Sequence, residues 1–514
     1  MPATGNRPTH RRAVRATMVA LAAATTLAAG CRSYQPSPLD LDAARRDFLA
    51  RSLDGPGLAE FNDRLRGQAS PDAAGAGTAA RFDPSDGISL AEAEAIALVF
   101  NAGLRAARLE AGVTRATADN AGLWIDPTLG VDLSRIVNGA TDDVEALASL
   151  AFTLPLSGRL ELEKAQAGAE HDAALTRIAR DEWTLVAELR RAWTRRAALA
   201  AEAAATREFL ERVAQVMAVV DRMESAGEIA RIEARLIRIE DAKRRVALHA
   251  LDAELLRATH AIESILGLPP RDDRRLDTDF SALAAPAQQE GHDALLARAL
   301  RTAPTLAVAR AEHEVAERRL AREIRAQWPD VALAPGFGEQ DGDTQAVLGI
   351  GVTLPLLNGN RRGIAEADAS REAARGRAEG EVARVVGALL AAEERLAAAL
   401  AQRALLETTL VPLVDTQYAE AREVARLGEV NTLILLESLT QQLDARLQLI
   451  AARAAEAAAV VDIEHLAGPP AAAEAGVDAG VDTGVAADAD SAAAAEPAGA
   501  PLTSQITARH GADR

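Results

Sequence analysis

Thr153-Leu154-Pro155-Leu156 is echoed 200 residues later by Thr353-Leu354-Pro355-Leu356. The surroundings repeat as well. Leu104-Arg105-Ala106-Ala107-Arg108 pairs with Leu306-Ala307-Val308-Ala309-Arg310 and Asp126-Pro127 with Trp328-Pro329, both at an offset of 202, and Gly227-Glu228 with Gly428-Glu429 at 201. An offset that stays nearly constant over more than 120 residues marks an internal duplication, and such a period has to be recognised before any fold is argued. Each copy reads as helix, β-hairpin, very long helix, tight turn, helix.

Just before and around each Thr-Leu-Pro-Leu lie strands. Leu129, Val131 and Leu133 alternate with Gly130, Asp132 and Ser134, and on the return Ala148, Leu150, Phe152 and Leu154 alternate with Ser149, Ala151 and Thr153. In the second copy Val331, Leu333, Pro335 and Phe337 go out, and Ala346, Leu348, Ile350, Val352 and Leu354 come back against Val347, Gly349, Gly351 and Thr353. Apolar residues at every second position, with small or polar partners between, suit a strand with lipid on one face and a lumen on the other. They also suit a soluble four-stranded sheet packed on helices. Four strands cannot close a barrel, and open edges are not tolerated in hydrocarbon, so a membrane-inserted sheet would need several chains. The connecting loops, about Asn138 to Glu145 and Gly338 to Gln345, are polar and acidic.

The helices settle the architecture. From Arg159 to Ser225, and again from Arg361 to Leu427, the only proline is Pro412, and each run of about 67 residues would span about 100 Å at 1.5 Å per residue. Leu210, Val213, Met217 and Val220 step at coiled-coil spacing, as do Leu248, Leu251, Leu255, Ala258, Ile262 and Ile265, and Leu436, Leu439 and Leu443. The returning helices are expected over Ile229 to Leu266 and Val430 to Leu466. Shorter ones precede the hairpins, from Ser89 to Phe100 and Leu104 to Trp124, and from His292 to Arg301 and Leu306 to Gln327. Ser89 with Glu92 reads as a capping box, and Pro304 fits a first helical turn. Pro412 is expected to bend or break its helix. Each repeat is then a pair of rods, one continuous and one made of two pieces.

Composition agrees with helix-on-helix packing: of 514 residues, 49% are hydrophobic but only 3% aromatic. The formal charge of −18 argues against a nucleic-acid partner, whose phosphates need basic residues. A single cysteine excludes an internal disulfide and any Cys-rich metal site. That cysteine, Cys31, closes a leader with a basic start (Arg7, Arg11, Arg12, Arg15) and an apolar stretch from Ala16 to Leu27. Leu27-Ala28-Ala29-Gly30-Cys31 resembles a bacterial lipobox, which implies cleavage before Cys31 and acylation of its thiol; the competing reading is a plain secretory leader.

No catalytic constellation emerges. His171, His249, His260, His292 and His313 lack metal-ligand spacing, the glycine-rich turns lack the Lys-Ser/Thr of a phosphate loop, and neither cofactor nor metal is expected. Asp142, Asp143, Asp341 and Asp343 read as polar loop residues, the charge run Arg231 to Arg245 as a solvated helix face. From Ser33 to Ile88 the chain is mixed, with helical spacing from Leu39 to Leu65 and a linker after it. Beyond Gly468 it is an Ala/Gly/Asp-rich tail with the composition of disorder.

Taken in order, these features resemble the TolC-like outer-membrane efflux proteins. The resemblance covers about Ser89 to Gly468. It is carried by Thr-Leu-Pro-Leu followed by Ser157-Gly158-Arg159 or Asn358-Gly359-Asn360-Arg361, by Ala303-Pro304-Thr305-Leu306, by Gly267-Leu268-Pro269-Pro270, and by Ala425-Arg426-Leu427-Gly428-Glu429-Val430. It implies a mainly α chain with a small β part, assembled as a homotrimer whose twelve-stranded outer-membrane barrel continues into a periplasmic α-helical barrel. The membrane strands would be carried by Leu129, Val131, Leu133, Leu150, Phe152, Leu154, Val331, Leu333, Phe337, Leu348, Ile350, Val352 and Leu354. The turns at Ala226, Gly227 and Glu228 and at Leu427, Gly428 and Glu429 would meet a periplasmic membrane-fusion adaptor linked to an inner-membrane pump; each glycine also suits a left-handed helix cap. The divisions expected are a signal peptide (1–30), leash and linker (31–88), first repeat (89–270), inter-repeat linker (271–291), second repeat (292–468) and tail (469–514). The chain departs from the family's pattern in having Asn101-Ala102-Gly103 at the first helix break, no Gly-Gly after the first Pro-Leu, and Asp132 and Arg135 in a short strand. The expected role is a passive duct of a tripartite efflux or export system. The rival is a periplasmic coiled-coil lipoprotein acting as scaffold or adaptor, for which apolar alternation at 148–154 and 346–354 has no use.

Overall fold

The computed structural model describes residues 34–53, 87–135, 144–271, 274–280, 290–340, 343–426 and 431–469. Cys31, the tip residues Leu427, Gly428 and Glu429, the loop residues Asp142, Asp143 and Asp341, and nearly all of the tail lie outside them. Two compact units divide at Arg51. In the first, α1 (Leu41–Leu49) is capped by Asp40, whose Oδ1 accepts from the Ala43 N–H at 2.9 Å, and it buries none of its residues. Of the helical spacing read from Leu39 to Leu65, only these nine residues form helix among the described positions.

The second unit holds both repeats. α2 (Leu90–Phe100) starts at the expected capping box, Ser89 and Glu92 satisfying each other's backbone N–H. α3 (Ala102–Asp119) follows directly, because the Asn101 side chain caps it by accepting from the Leu104 N–H at 3.0 Å. It stops five residues short of Trp124, where Asn120 ends it and Gly122 turns left-handed (φ 70°) against the Leu160 carbonyl. The hairpin β1 (Thr128–Arg135) and β2 (Val144–Leu154) leads into α4 (Arg159–Ala226), a single helix of 68 residues. α5 (Arg231–Ile265) returns along it. The second repeat gives α6 (His292–Thr302) and α7 (Pro304–Arg325), with Pro304 in the first turn as expected. Then come β3 (Val331–Gln340), β4 (Asp343–Val352) and α8 (Arg361–Leu405).

Pro412 does not break its helix. A π turn at Leu406–Leu410 precedes it, the Val411 N–H reaching the Leu406 carbonyl, and α9 (Val411–Arg426) carries on. The wider turn accommodates the missing proline N–H and the bulk that would otherwise press on the carbonyl four residues back. α10 (Thr432–Ala467) closes the repeat, capped by Asn431.

The paired-rod arrangement holds in both copies. α4 packs against α5 over one part of its length and α3 over another, while α8 packs against α10 and α7; α4 also meets α7 and α10, which joins the repeats. One core cluster gathers Ile96, Leu189, Trp193, Ile262, Leu266 and Leu268, a second Leu295, Leu389, Val460 and Ile463, a third Leu210, Val213, Ile237, Leu439 and Leu443. Of the coiled-coil positions read from the sequence, Leu210, Val213, Val220, Ala258, Ile262, Leu439 and Leu443 are buried, while Met217, Leu248, Leu251, Leu255, Ile265 and Leu436 are half-buried.

A symmetry of backbone contacts underlies the duplication. Gly267, after α5, turns left-handed (φ 67°) where an added Cβ would lie 2.2 Å from the Phe100 carbonyl; Gly468, after α10, does so (φ 79°) 2.3 Å from that of Thr302. The Asn101 side chain donates to the Ile265 carbonyl at 2.9 Å and the Thr302 hydroxyl to that of Ala467 at 2.8 Å. In each repeat, therefore, the end of the returning helix docks at the break between the two short helices.

Candidate functional site

Both Thr-Leu-Pro-Leu motifs make the same turn. The Leu156 N–H donates to the Leu154 carbonyl, and the Leu356 N–H to that of Leu354, each at 2.9 Å. This three-residue turn centred on proline suits the ring's fixed φ. It takes the chain out of the sheet and into the long helix. The exit of the first hairpin is tied to the entrance of the second: Ser157 donates to Asp330 at 3.1 Å, and Arg159 meets the other oxygen of Asp330 at 3.4 Å. In the second copy Asn360, itself left-handed (φ 51°), donates to the Glu323 carbonyl and carboxylate, each at 2.8 Å. Hydrogen bonds from Arg322 and Asn360 hold that carboxyl below its usual range.

The four strands form one antiparallel sheet in the order β1-β2-β3-β4. Directly opposed residues in such a sheet point the same way, so the register identifies the faces. Val131 pairs with Ala148, Ala148 with Phe337 and Phe337 with Ala346; Leu333 is opposed by Phe152 and by Ile350, and Val331 by Leu154 and Val352. Every strand residue expected to face lipid therefore lies on one continuous face, except Leu354. That residue falls beyond β4, because its neighbour β3 begins at Val331, after Pro329, and offers it no partner. The face is open: Leu129 is 70% exposed, Phe337 68% and Ile350 66%. The hairpin of β3 and β4 also pairs further than the expected loop, Gly338 with Gln345, Glu339 with Thr344 and Gln340 with Asp343. Pro335 leaves a gap in the ladder towards β2 at Leu150 and Ala151, while pairing towards β4 runs unbroken. A missing N–H is tolerated there because only one side of the strand loses a bond.

The opposite face carries Gly130, Ser149, Ala332, Ala334, Gly336, Gly338, Gly349 and Gly351. Added Cβ atoms at Gly336 and Gly338 would come within 3.0 Å of carbonyls of β2. Among the described residues β1 and β4 have no further strand beside them. The sheet thus ends in two unpaired edges.

Just outside the strands stand two tryptophans, Trp124 and Trp328, each 63% exposed, beside the exposed Leu123, Ile125, Leu156, Leu356 and Leu357. Sequence reading placed Trp124 in a helix and missed this apolar band. The other two tryptophans are in the protein: Trp193 is fully buried and Trp183 donates to the His465 carbonyl at 3.0 Å.

At the far end of the first repeat, Gly227 (φ 79°) closes α4 in a Schellman cap, its N–H on the Glu224 carbonyl and that of Glu228 on the Met223 carbonyl. A Cβ there would meet nothing within 4 Å, so the turn is open to solvent and conformation alone favours glycine. Beside it Arg238 bridges Asp221 and Glu224.

The helices show apolar surface that the chain does not cover. α5 turns one seam, with Ala234 and Ile237, against α4, and leaves a second exposed at Ile232, Leu236, Ile239 and Val246. Arg361–Ala425 is the one described helical run long and apolar enough by composition to cross a membrane, and only 17% of its most apolar window is buried.

Among the described residues no three His, Cys, Asp or Glu side chains are placed to hold a metal ion. His260 lies 2.9 Å from Glu263 one turn on in the same helix, and His292 lies 2.8 Å from Glu393 across two helices. His465 is the exception in character. Burial, together with Arg191 and Arg384, holds its imidazole below the ordinary value, Asp462 opposing them.

The chain matches no protein-family model and no curated protein sequence. It is similar in structure to CusC, studied for folding and transmembrane channel formation (17% identity, 74% of this chain and 92% of that one, TM-score 0.64). The outer-membrane channel OprN is similar too (19%, 86% and 98%, 0.63), as is the outer membrane protein VceC of Vibrio cholerae (15%, 74% and 96%, 0.62). The likeness is one of fold. The chain has the TolC-like fold that its sequence pattern led one to expect, with almost the whole length of each of these proteins represented in it.

Proposed function

We propose that this chain is the outer-membrane channel of a tripartite efflux or export system, a passive homotrimeric duct in a Gram-negative bacterium. The observation that carries the reading is the sheet: one continuous apolar face open to the surroundings, a small-residue face behind it, and two edges that the chain cannot pair by itself. In hydrocarbon each unpaired backbone group costs several kcal/mol. Three copies close the edges into a twelve-stranded barrel, and the same threefold contact covers the second seam of α5 and the exposed apolar positions of α8. Three strands, of 11, 10 and 10 residues, fit the roughly 9–11 that a tilted membrane strand needs, and β1, at 8, falls one short.

Trp124 and Trp328 then sit at the boundary between hydrocarbon and periplasm, where amphipathic rings are favoured. Acylation at Cys31 would add a second hold on the membrane. The open Gly227 turn, with its counterpart at Gly428, is the surface offered to a periplasmic adaptor and, through it, to an inner-membrane pump, which supplies the energy. A scaffold lipoprotein that stays out of the membrane would have no use for the exposed sheet face.

The test is single-channel conductance of the purified, acylated protein in planar bilayers, with its mass in detergent measured in parallel. A trimer giving discrete, long-lived conductance steps is expected. A soluble monomer, or a trimer that leaves the bilayer silent, would overturn the reading.

A further inference from the structure

We infer that the sheet end of the duct selects for cations through Asp132, an inference that rests on the channel reading above. The argument comes from the strand register. On the small-residue face the positions are Thr128, Gly130, Asp132 and Ser134 in β1; Glu145, Leu147, Ser149, Ala151 and Thr153 in β2; Ala332, Ala334, Gly336, Gly338 and Gln340 in β3; Asp343, Gln345, Val347, Gly349 and Gly351 in β4. No lysine, arginine or histidine occurs at any of them. Three positions are acidic, in two tiers. Glu145 and Asp343 belong to the outermost rung, opposite Ser134 and Gln340; Asp132 lies two residues further in, on the rung of Leu147, Gly338 and Gln345.

Asp132 is exposed and borders a hollow of about 210 Å³ lined also by Ser134, Leu147, Gly338, Gln345 and Val347 of its own face and by Ala146 and Glu339 of the other, a lining that adds a second carboxylate and no cation. Its rung holds no cation to neutralise it: the cross-strand partner is Leu147, with Gly338 and Gln345 beyond, and the same-face neighbours along β1 are Gly130 and Ser134. Threefold closure repeats the carboxylate three times at one height. Walls of one charge sign and low dielectric focus the field across the opening, attracting ions of the opposite sign. What is proposed is this field, with no ion held at a fixed site.

The experiment is the reversal potential of the reconstituted channel across a KCl gradient, in wild type, Asp132→Asn, Asp132→Arg, and the rim variant Glu145→Gln with Asp343→Asn. Low salt is preferred, since the Debye length is about 30 Å at 0.01 M and only about 3 Å at 1 M. Wild type is expected to favour potassium over chloride. The isosteric Asp132→Asn should lower that preference at least about two-fold, and Asp132→Arg should reverse its sign. The rim variant should keep most of it. Channels that conduct with unchanged preference after Asp132→Asn overturn this inference and leave the channel reading intact, as does loss of preference in the rim variant alone. A wild-type trimer that inserts and does not conduct overturns the channel reading and the inference with it.

Discussion

Gly227 and Gly267 both end helices in a left-handed turn, yet they are constrained differently. An alanine at Gly227 meets only the conformational cost of about 1 kcal/mol, because open space surrounds it. At Gly267 the same change drives a methyl into the Phe100 carbonyl, and at Gly468 into that of Thr302. Thermal unfolding of the purified protein should show Gly227→Ala near wild type, while Gly267→Ala and Gly468→Ala each lose more than about 2 kcal/mol. Equal losses at all three would mean that the docking of each returning helix on its helix break is unimportant. His465 gives a second residue-level expectation. Its depressed value means that the unfolded chain takes up the proton more readily than the folded one. Its share of stability is therefore complete above its ordinary value of 6.5 and is lost as the pH falls through the depressed one. The unfolding midpoint should drop on acidification from pH 7 towards 5, and His465→Gln should flatten part of that drop. A slope unaffected by the substitution would place the titration elsewhere.

At the level of elements, the two faces of the sheet should respond oppositely to charge. Ile350→Lys puts an ammonium on the apolar face, where mid-bilayer placement costs about 2–4 kcal/mol. Val347→Lys puts it on the face of small residues, where water reaches it. Folding of the purified protein into lipid vesicles, followed by resistance to heat and detergent, should fail or slow for the first and proceed for the second. Similar behaviour of the two would argue that the apolar face does not meet lipid. The boundary tryptophans offer a check that needs little engineering. Trp193 is buried and Trp183 is half-buried among the helices, away from the sheet, so lipids brominated on their acyl chains should quench Trp124 and Trp328 selectively. The Trp124→Phe, Trp328→Phe variant should lose nearly all of the quenching. Quenching that survives in it would put the bilayer edge somewhere else. Pairing of helices was legible at this scale, since heptad spacing at Leu210, Val213 and Val220 says which face is buried. The π turn was not: Pro412 announces a disturbance, but only the neighbours of the helix determine whether it kinks or widens.

For the whole molecule, the uncovered seam of α5 and the open strand edges are the surfaces that the proposed trimer would cover. Ile239→Glu with Val246→Glu should therefore weaken the trimer while leaving the α4–α5 pairing, which uses Ala234 and Ile237, in place. Helical content by circular dichroism should hold while the mass in detergent falls. A trimer of undiminished stability would show that this seam lies outside the contact.

The order of elements, the duplication and the two-residue alternation of the strands were determined by the sequence alone, because each is a local periodicity that a short window of residues expresses. Capping by Ser89 and the first-turn place of Pro304 belong with them. The sequence did not say that α3 ends at Asp119, that Leu354 falls outside the sheet, or that Asp132 has no cation on its rung. Those facts depend on which partner a strand or turn finds, and for β2 and β3 the partners lie 177 to 193 positions apart. Register between β2 and β3 joins the two repeats across that distance, and only the folded chain decides it.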